Sequence, residues 1–282
     1  MPRTTTSRRT LIAATAATAA VLTTTATAAP TTGLRAAQDD AGADGPTIVL
    51  VHGGFADASA SWNDVVKRLQ RDGYPVIAPA NPLRGLSSDA PYLASLLKSV
   101  EGPVVLAGHS YGGAVITNAA AGNRNVRALV YVAAFVPDEG EQLIGLLGRY
   151  PGSEIPDAIE EVPFTGPGGT TGTDIYLKAD RFRSAFAADL PRSVTDVMHA
   201  TQRPAAATHL TDPTRAAAWR SIPSWGLVAA ADRAIPPALQ RWEYDRAGMR
   251  GQVEVRGASH SVMVSHPGAV AKLIRTADRA TR

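Results

Sequence analysis

The chain has no cysteine. A disulfide framework, a thiolate zinc site and a lipid-modified cysteine are therefore all excluded. It also lacks a surplus of charge where one would matter. Residues 1–28 carry Arg3, Arg8 and Arg9 and no acid, so the formal charge of +3 belongs to that segment: 28 basic side chains less 3 leaves 25, against 25 acidic. A balanced chain offers no electrostatic footprint for phosphates, which argues against nucleic acid as a partner. There is no run of about 20 strongly apolar residues of the kind that spans a bilayer, so no stable membrane anchor is expected.

What stands at the start is an export signal over residues 1–28. Ser7-Arg8-Arg9-Thr10-Leu11-Ile12 resembles a twin-arginine signal, residues 11–25 form a weakly apolar Ala/Thr stretch, and Ala26-Thr27-Ala28 offers a cleavage site. The expected location is extracellular. Residues 29–46, with Pro30, Gly33, Gly42, Gly45 and three aspartates, read as a disordered lead-in. A folded domain is expected from 47 to 282, long enough to bury a substantial core.

Within it, apolar runs of strand length alternate with helical periodicity. Thr47-Ile48-Val49-Leu50-Val51 is continuously apolar, the pattern of a parallel strand covered on both faces. Further strands are predicted at 74–78, 104–107, 126–135, 225–231 and 253–255. Helices are predicted at 61–70, 89–100, after Gly113, and at 269–280. Such repetition implies right-handed crossovers and a mostly parallel sheet of about six strands with helices on both faces. The alternation breaks between about 137 and 222. That segment is too long for a connection and reads as a cap inserted over the sheet. It contains Gly/Pro/Thr-rich loops at 164–174 and helical pieces near 181–188 and 193–201.

The chemistry is expected at Gly108-His109-Ser110-Tyr111-Gly112-Gly113, between the apolar run 104–107 and an Ala-rich helix. Strand, sharp turn and helix are the context in which G-x-S-x-G becomes a nucleophile elbow, with Ser110 strained and exposed at a helix N-terminus. His52-Gly53-Gly54-Phe55 follows the first strand and can turn backbone N–H groups toward a neighbouring cleft. The Phe55 and Tyr111 amides are the expected oxyanion donors. In this fold the base follows the last strand, which selects His260 in Gly257-Ala258-Ser259-His260. His52 and His109 read as structural, His199 as a cap residue of surface or pocket, and His209 and His266 as solvated. The acid is expected after the penultimate strand, at Asp232, with Asp138 or Glu139 as the alternative from the neighbouring strand. Asp232 is equally placed to cap a following helix.

From Thr47 to Thr281 the chain resembles the α/β-hydrolase fold superfamily, and more narrowly its methylesterase and hydroxynitrile-lyase-like group. The resemblance rests on VLVHGGF, LAGHSYGG, LVYVAAF and the run Asp232-Arg233-Ala234-Ile235-Pro236, Gln240-Arg241-Trp242, Gly257-Ala258-Ser259-His260 and Met263-Val264-Ser265. It implies Ser110, Asp232 and His260 as the triad and Phe55 and Tyr111 as the oxyanion residues. The lyases of the group carry a lysine after the catalytic histidine and a threonine at the first oxyanion turn. Ser261 and Gly53 stand there instead, which disfavours lyase chemistry. Aspartate-nucleophile enzymes of the same fold are excluded by Ser110.

The expectation is a secreted serine hydrolase of small or medium apolar carboxylic esters, working through an acyl-enzyme and needing no metal or organic cofactor. Its partner is a small-molecule ester, and the sequence sets no oligomeric state. Gly54, Phe135 and Met198 are candidate pocket walls beside Phe55 and Tyr111. A lactonase, an amide or C–C bond hydrolase with the same triad, and a non-catalytic binding protein on the same scaffold are the alternatives.

Overall fold

The computed structural model describes residues 45–282. The export-signal reading of 1–28, and all but the last two residues of the 29–46 lead-in, lie outside the described residues. In chain order the elements are β1 (Thr47–Val51), α1 (Ala58–Arg71), β2 (Val76–Ile77), α2 (Leu86–Ser99), β3 (Val104–His109), α3 (Tyr111–Ala119) and β4 (Val126–Val132). Next come α4 (Leu143–Leu147), α5 (Ile155–Ala158), β5 (Ile159–Thr165), β6 (Thr171–Leu177), α6 (Ala179–Phe186), α7 (Arg192–Ala200) and β7 (Ala205–Ala206). The chain closes with β8 (Ser224–Ala229), α8 (Pro237–Arg246), β9 (Gly251–Val255), α9 (Val262–Ser265) and α10 (Pro267–Arg279).

Six strands form one sheet in the order β2-β1-β3-β4-β8-β9, and every pairing in it is parallel. Its central strands are apolar on both faces because both faces are covered. In β1, Ile48 and Leu50 join one buried cluster with Trp62, Val65 and Leu69 of α1 and Val270 and Ile274 of α10. Val49 and Val51, pointing the other way, join Leu93 and Leu97 of α2, Val115 of α3 and Leu239 of α8. The period-two alternation of a strand thus builds two cores at once. The helices supply matching faces. In α1 the Asp57 carboxylate caps the first turn by accepting from the Ala60 amide at 2.7 Å, and Trp62, Val65 and Leu69 form the buried stripe.

The strand order turns back between β1 and β3. A crevice at the carboxyl ends of the strands is the usual consequence of such a reversal. It is there that the turn after β1 and the turn after β3 meet.

Strands β4, β8 and the cap differ in detail from the periodicity. β4 ends at Val132, not at residue 135: the Ala133 amide still donates to the Leu227 carbonyl of β8 at 2.8 Å, but its positive φ of 44° turns the chain out of the strand beyond it. The stretch at 164–174 is not simply loop. β5 and β6 pair antiparallel over seven residues each, joined by a Gly-rich turn, and β7 adds a third strand. β5 is exposed over most of its length, so no alternation of burial marked it.

Glu243, on α8, is fully buried beneath the exit of β4. Its Oε1 accepts from the Val136 amide at 2.8 Å, while Oε2 has no partner among the described residues. Burial pushes its carboxyl up from the ordinary 4.5 to about 8. A folded-state value above the unfolded one favours folding fully below about pH 4.5, and that contribution is lost as pH rises toward 8. Glu243→Gln is therefore expected to raise the melting temperature at pH 8 relative to the parent chain. The difference should shrink toward pH 5, as measured by calorimetry at both values.

Candidate active site

Ser110 lies between the end of β3 and the first residue of α3, with φ 54° and ψ −125°. A side chain is held in that region only when its surroundings over-determine it. Here they do, through glycines packed backbone to backbone. A Cβ on Gly108 would sit 2.5 Å from the Gly112 carbonyl oxygen, and one on Gly112 the same distance from the Val51 carbonyl oxygen. The hydroxyl-bearing turn is thereby pressed against the end of β1. Gly53 completes the contact: a Cβ there would lie 2.6 Å from Cβ of Ser110.

The turn after β1 is fixed by His52. Its Nδ1–H donates to the Gly53 carbonyl at 2.8 Å, and its Nε2 accepts from the Asn81 amide at 2.8 Å. Burial lowers its pKa and keeps the ring neutral, so the structural reading of His52 stands. Phe55, at φ 61°, ends the turn. The Phe55 and Tyr111 amides donate to no carbonyl or side chain among the described residues, and both residues line one cleft. Tyr111 itself is anchored: its phenol donates to the buried Asp89 carboxylate at 2.9 Å. Asp89 also accepts from the Arg84 amide and the Ser88 hydroxyl.

Asp232 follows β8 and is 3% exposed, yet it is richly solvated by protein. Oδ1 accepts from the Ala234 and Ile235 amides at 2.7 and 3.0 Å, and Oδ2 from the Gln240 amide group at 2.8 Å. The second donor to Oδ2 is Nδ1–H of His260, at 2.7 Å. Such a carboxylate selects the tautomer that leaves Nε2 bare and orients the ring. Asp138, the alternative acid, is engaged elsewhere: Arg220 pairs with it at 2.6 Å on the surface. Glu139 has no bond to His260 either. Nothing in the local sequence around Gln240 signals a role for it. It holds the acid, and its Oε1 accepts from the Ala229 amide at the end of β8.

His260 sits in the loop between β9 and α9, 1% exposed. Behind it, His109 donates from Nε2 to the His260 carbonyl at 3.0 Å, the two rings lying 4.6 Å apart. Desolvation holds His109 well below its ordinary pKa, so it packs as a neutral ring, a structural role as read. In front, Phe186 of α6 stands edge-on to His260 with centroids 5.0 Å apart. The cap is stitched to this loop. Ser261 donates through both its amide and its hydroxyl to the Phe186 carbonyl, at 3.1 and 3.0 Å, and the Ser259 hydroxyl donates to Asp189.

Ser110 and His260 face the same cleft without a hydrogen bond between Oγ and Nε2; in ligand-free sites that bond is often long. The cleft holds about 390 Å³ of empty space, its open mouth included. Gly54 and Phe135 line it, with Leu147, Ile155 and Phe186 from the cap side. Met198 does not. It is buried in the apolar cluster that also holds Phe182 and Phe186, and it is not among the residues that line the cleft. His199, on the same helix, packs edge-on against Phe182 away from the cleft. His209 reverses its reading: it is 2% exposed and forms part of the cleft wall. His266 is half exposed beside Ser265, as a solvated residue would be. Among the described residues no group of three or more His, Asp or Glu could hold a metal, and no helix is long and apolar enough to cross a membrane.

A serine beside two free amides, with a carboxylate-held imidazole on the same cleft, can carry out acyl transfer once the imidazole takes the hydroxyl proton. The chain is similar to several known proteins. The pimeloyl-[acyl-carrier protein] methyl ester esterase of Xanthomonas campestris is 28% identical over 253 residues, 82% of this chain and 94% of that protein. Salicylic acid-binding protein 2 of Nicotiana tabacum is 27% identical over 252 residues, 79% of this chain and 94% of that protein. Among solved structures, polyneuridine aldehyde esterase superposes with a TM-score of 0.71 at 20% identity, over 83% of this chain and 99% of that one. That likeness speaks to the fold. A family model described as the alpha/beta hydrolase family matches residues 48–273, and the chain belongs to that family.

Proposed function

We propose that this chain is a serine carboxylic-ester hydrolase. The observation that carries the reading is the chain of contacts Asp232–His260 opening onto the cleft that Ser110 faces. In the proposed cycle Ser110 Oγ attacks the ester carbonyl carbon while His260 Nε2 takes its proton. The carbonyl electrons move onto oxygen, where the Phe55 and Tyr111 amides hold the negative charge. Collapse of that intermediate breaks the ester bond, and His260 returns the proton to the departing alcohol. Water, losing a proton to His260, then attacks the acyl-serine, and Ser110 leaves with that proton as the acid is released. Every step uses groups of the protein and water alone.

The apolar wall of the cleft supports small or medium apolar esters. Two relatives whose names are esterase or methyl ester esterase support the reaction class, including a carbendazim hydrolyzing esterase of Nocardioides, 36% identical over 117 residues, 36% of this chain. The twin-arginine-like residues 1–28 support export, which makes the proposed site of action extracellular.

Ser110→Ala is expected to abolish turnover of p-nitrophenyl esters of increasing acyl length down to a residual about 10³–10⁴-fold above water. Equal rates in both proteins would remove Ser110 from the reaction. Asp232→Asn should reduce kcat by a factor on the order of 10⁴, because an amide at Oδ2 can hold the wrong imidazole tautomer. A lactone panel run beside the esters separates a lactonase, and undiminished ligand binding with no turnover in the parent chain would mark a binding protein. Export is tested by fusing residues 1–46 to a reporter. Replacing Arg8 and Arg9 by lysine should leave the reporter inside the cell, and export unaffected by that change would reject a twin-arginine route.

A further inference from the structure

One polar group of the cleft takes no part in that cycle. Of the side chains on its wall, the hydroxyl of Tyr111 is spent on Asp89, and Ser110 and His260 are reactants. His209 remains. Its Nδ1–H donates to the Ala206 carbonyl at 2.8 Å, which leaves Nε2 as a bare acceptor. That nitrogen points over the oxyanion turn: a Cβ on Gly54 would lie 3.6 Å from it, and it has no hydrogen-bond partner among the described residues. Phe55 and Tyr111 hold the ring edge-on from two sides, with centroids 6.2 and 5.1 Å away.

The ring is also placed rigidly. It sits in the short helical turn Ala207–Leu210, directly after β7. The Ala206 amide donates to the Leu83 carbonyl at 2.8 Å, and the Thr208 hydroxyl to the Arg84 carbonyl at 3.1 Å. Asp212 then accepts from the Ser87 amide and hydroxyl at 3.1 and 2.7 Å. The turn is thus fastened to the start of α2 on the sheet side. Burial lowers the His209 pKa to about 4, so the ring stays neutral and Nε2 stays an acceptor at ordinary pH.

We propose that His209 is a specificity-determining residue, and that the ester this site takes carries a hydroxyl near its carbonyl which donates to His209 Nε2. This rests on the esterase reading above and deepens it. An otherwise apolar wall with one pre-oriented acceptor penalises a ligand that covers the acceptor without satisfying it. A ligand bringing a donor is selected by the same term, and the rigid mounting spares the cost of ordering the ring.

The test compares methyl butanoate with methyl 2-hydroxybutanoate and methyl 3-hydroxybutanoate. The parent chain, His209→Phe and His209→Gln are assayed by pH-stat for kcat/KM. The parent is expected to favour at least one hydroxy ester over the plain ester by about tenfold, the order one neutral hydrogen bond is worth. His209→Phe should bring that ratio close to one, and His209→Gln, which keeps an acceptor, should retain part of it. A parent that turns over all three esters without preference overturns the proposal, as does a preference that survives His209→Phe. The same ratio is read as binding by calorimetry in the Ser110→Ala background. A hydroxy preference in binding with no turnover in the parent chain would uphold His209 and sink the esterase reading, so the two fail separately.

Discussion

The site depends on how closely three stretches of backbone approach one another. The end of β1, the turn after β3 and the start of α3 pass at distances that admit hydrogen but not carbon on Gly53, Gly108 and Gly112. Gly113 adds a fourth contact, against the Phe135 carbonyl. Because of these approaches, Ser110 is held in a conformation that costs on the order of 1–3 kcal/mol. The cost is met by the burial of the elements around it: β3 is buried throughout and α3 almost so. The same proximity brings the amides of Phe55 and Tyr111 to one edge of the sheet. Nucleophile position and amide position are therefore one constraint.

Around the base, the governing rule is that buried polar atoms must be paired. Asp232 meets it with four donors, His260 with the acid on one side and the His109 ring on the other. Gln240 joins the acid to the backbone of β8 and to the Ile235 carbonyl, so the carboxylate is positioned by the strand it follows. A buried charge so surrounded is preorganised, and needs little movement as the imidazole gains and loses its proton. Where the rule is broken, as at Nδ1 of His109 and Oε2 of Glu243, burial drives the group to its neutral form instead.

The residues legible in the sequence were those whose role is announced by their immediate neighbours. Ser110 is flanked by glycines, the turn at His52 follows an apolar strand, and Asp232 and His260 each end a strand or the loop after it. The alternation of apolar runs was enough for the parallel sheet because both faces are buried. What escaped lies in contacts between distant positions. His209 faces the cleft only because its turn is fastened to residues 83–87, more than a hundred positions earlier. Met198 has the right chemistry for a pocket wall, but the rotation of α7 turns it inward. The β5–β6 hairpin is held by backbone pairing, with little burial to imprint a pattern on its side chains.

The stitches from Ser259 and Ser261 to the end of α6 have a reach beyond holding the loop in place. They make the roof and the proton carrier mechanically one piece, since Phe186 supplies both the carbonyl that Ser261 grips and the ring that leans on His260. Lifting the roof to admit a bulky molecule would therefore tug on the imidazole. A homologue's roof grafted onto this sheet would work only if the four or five residues around position 260 travelled with it.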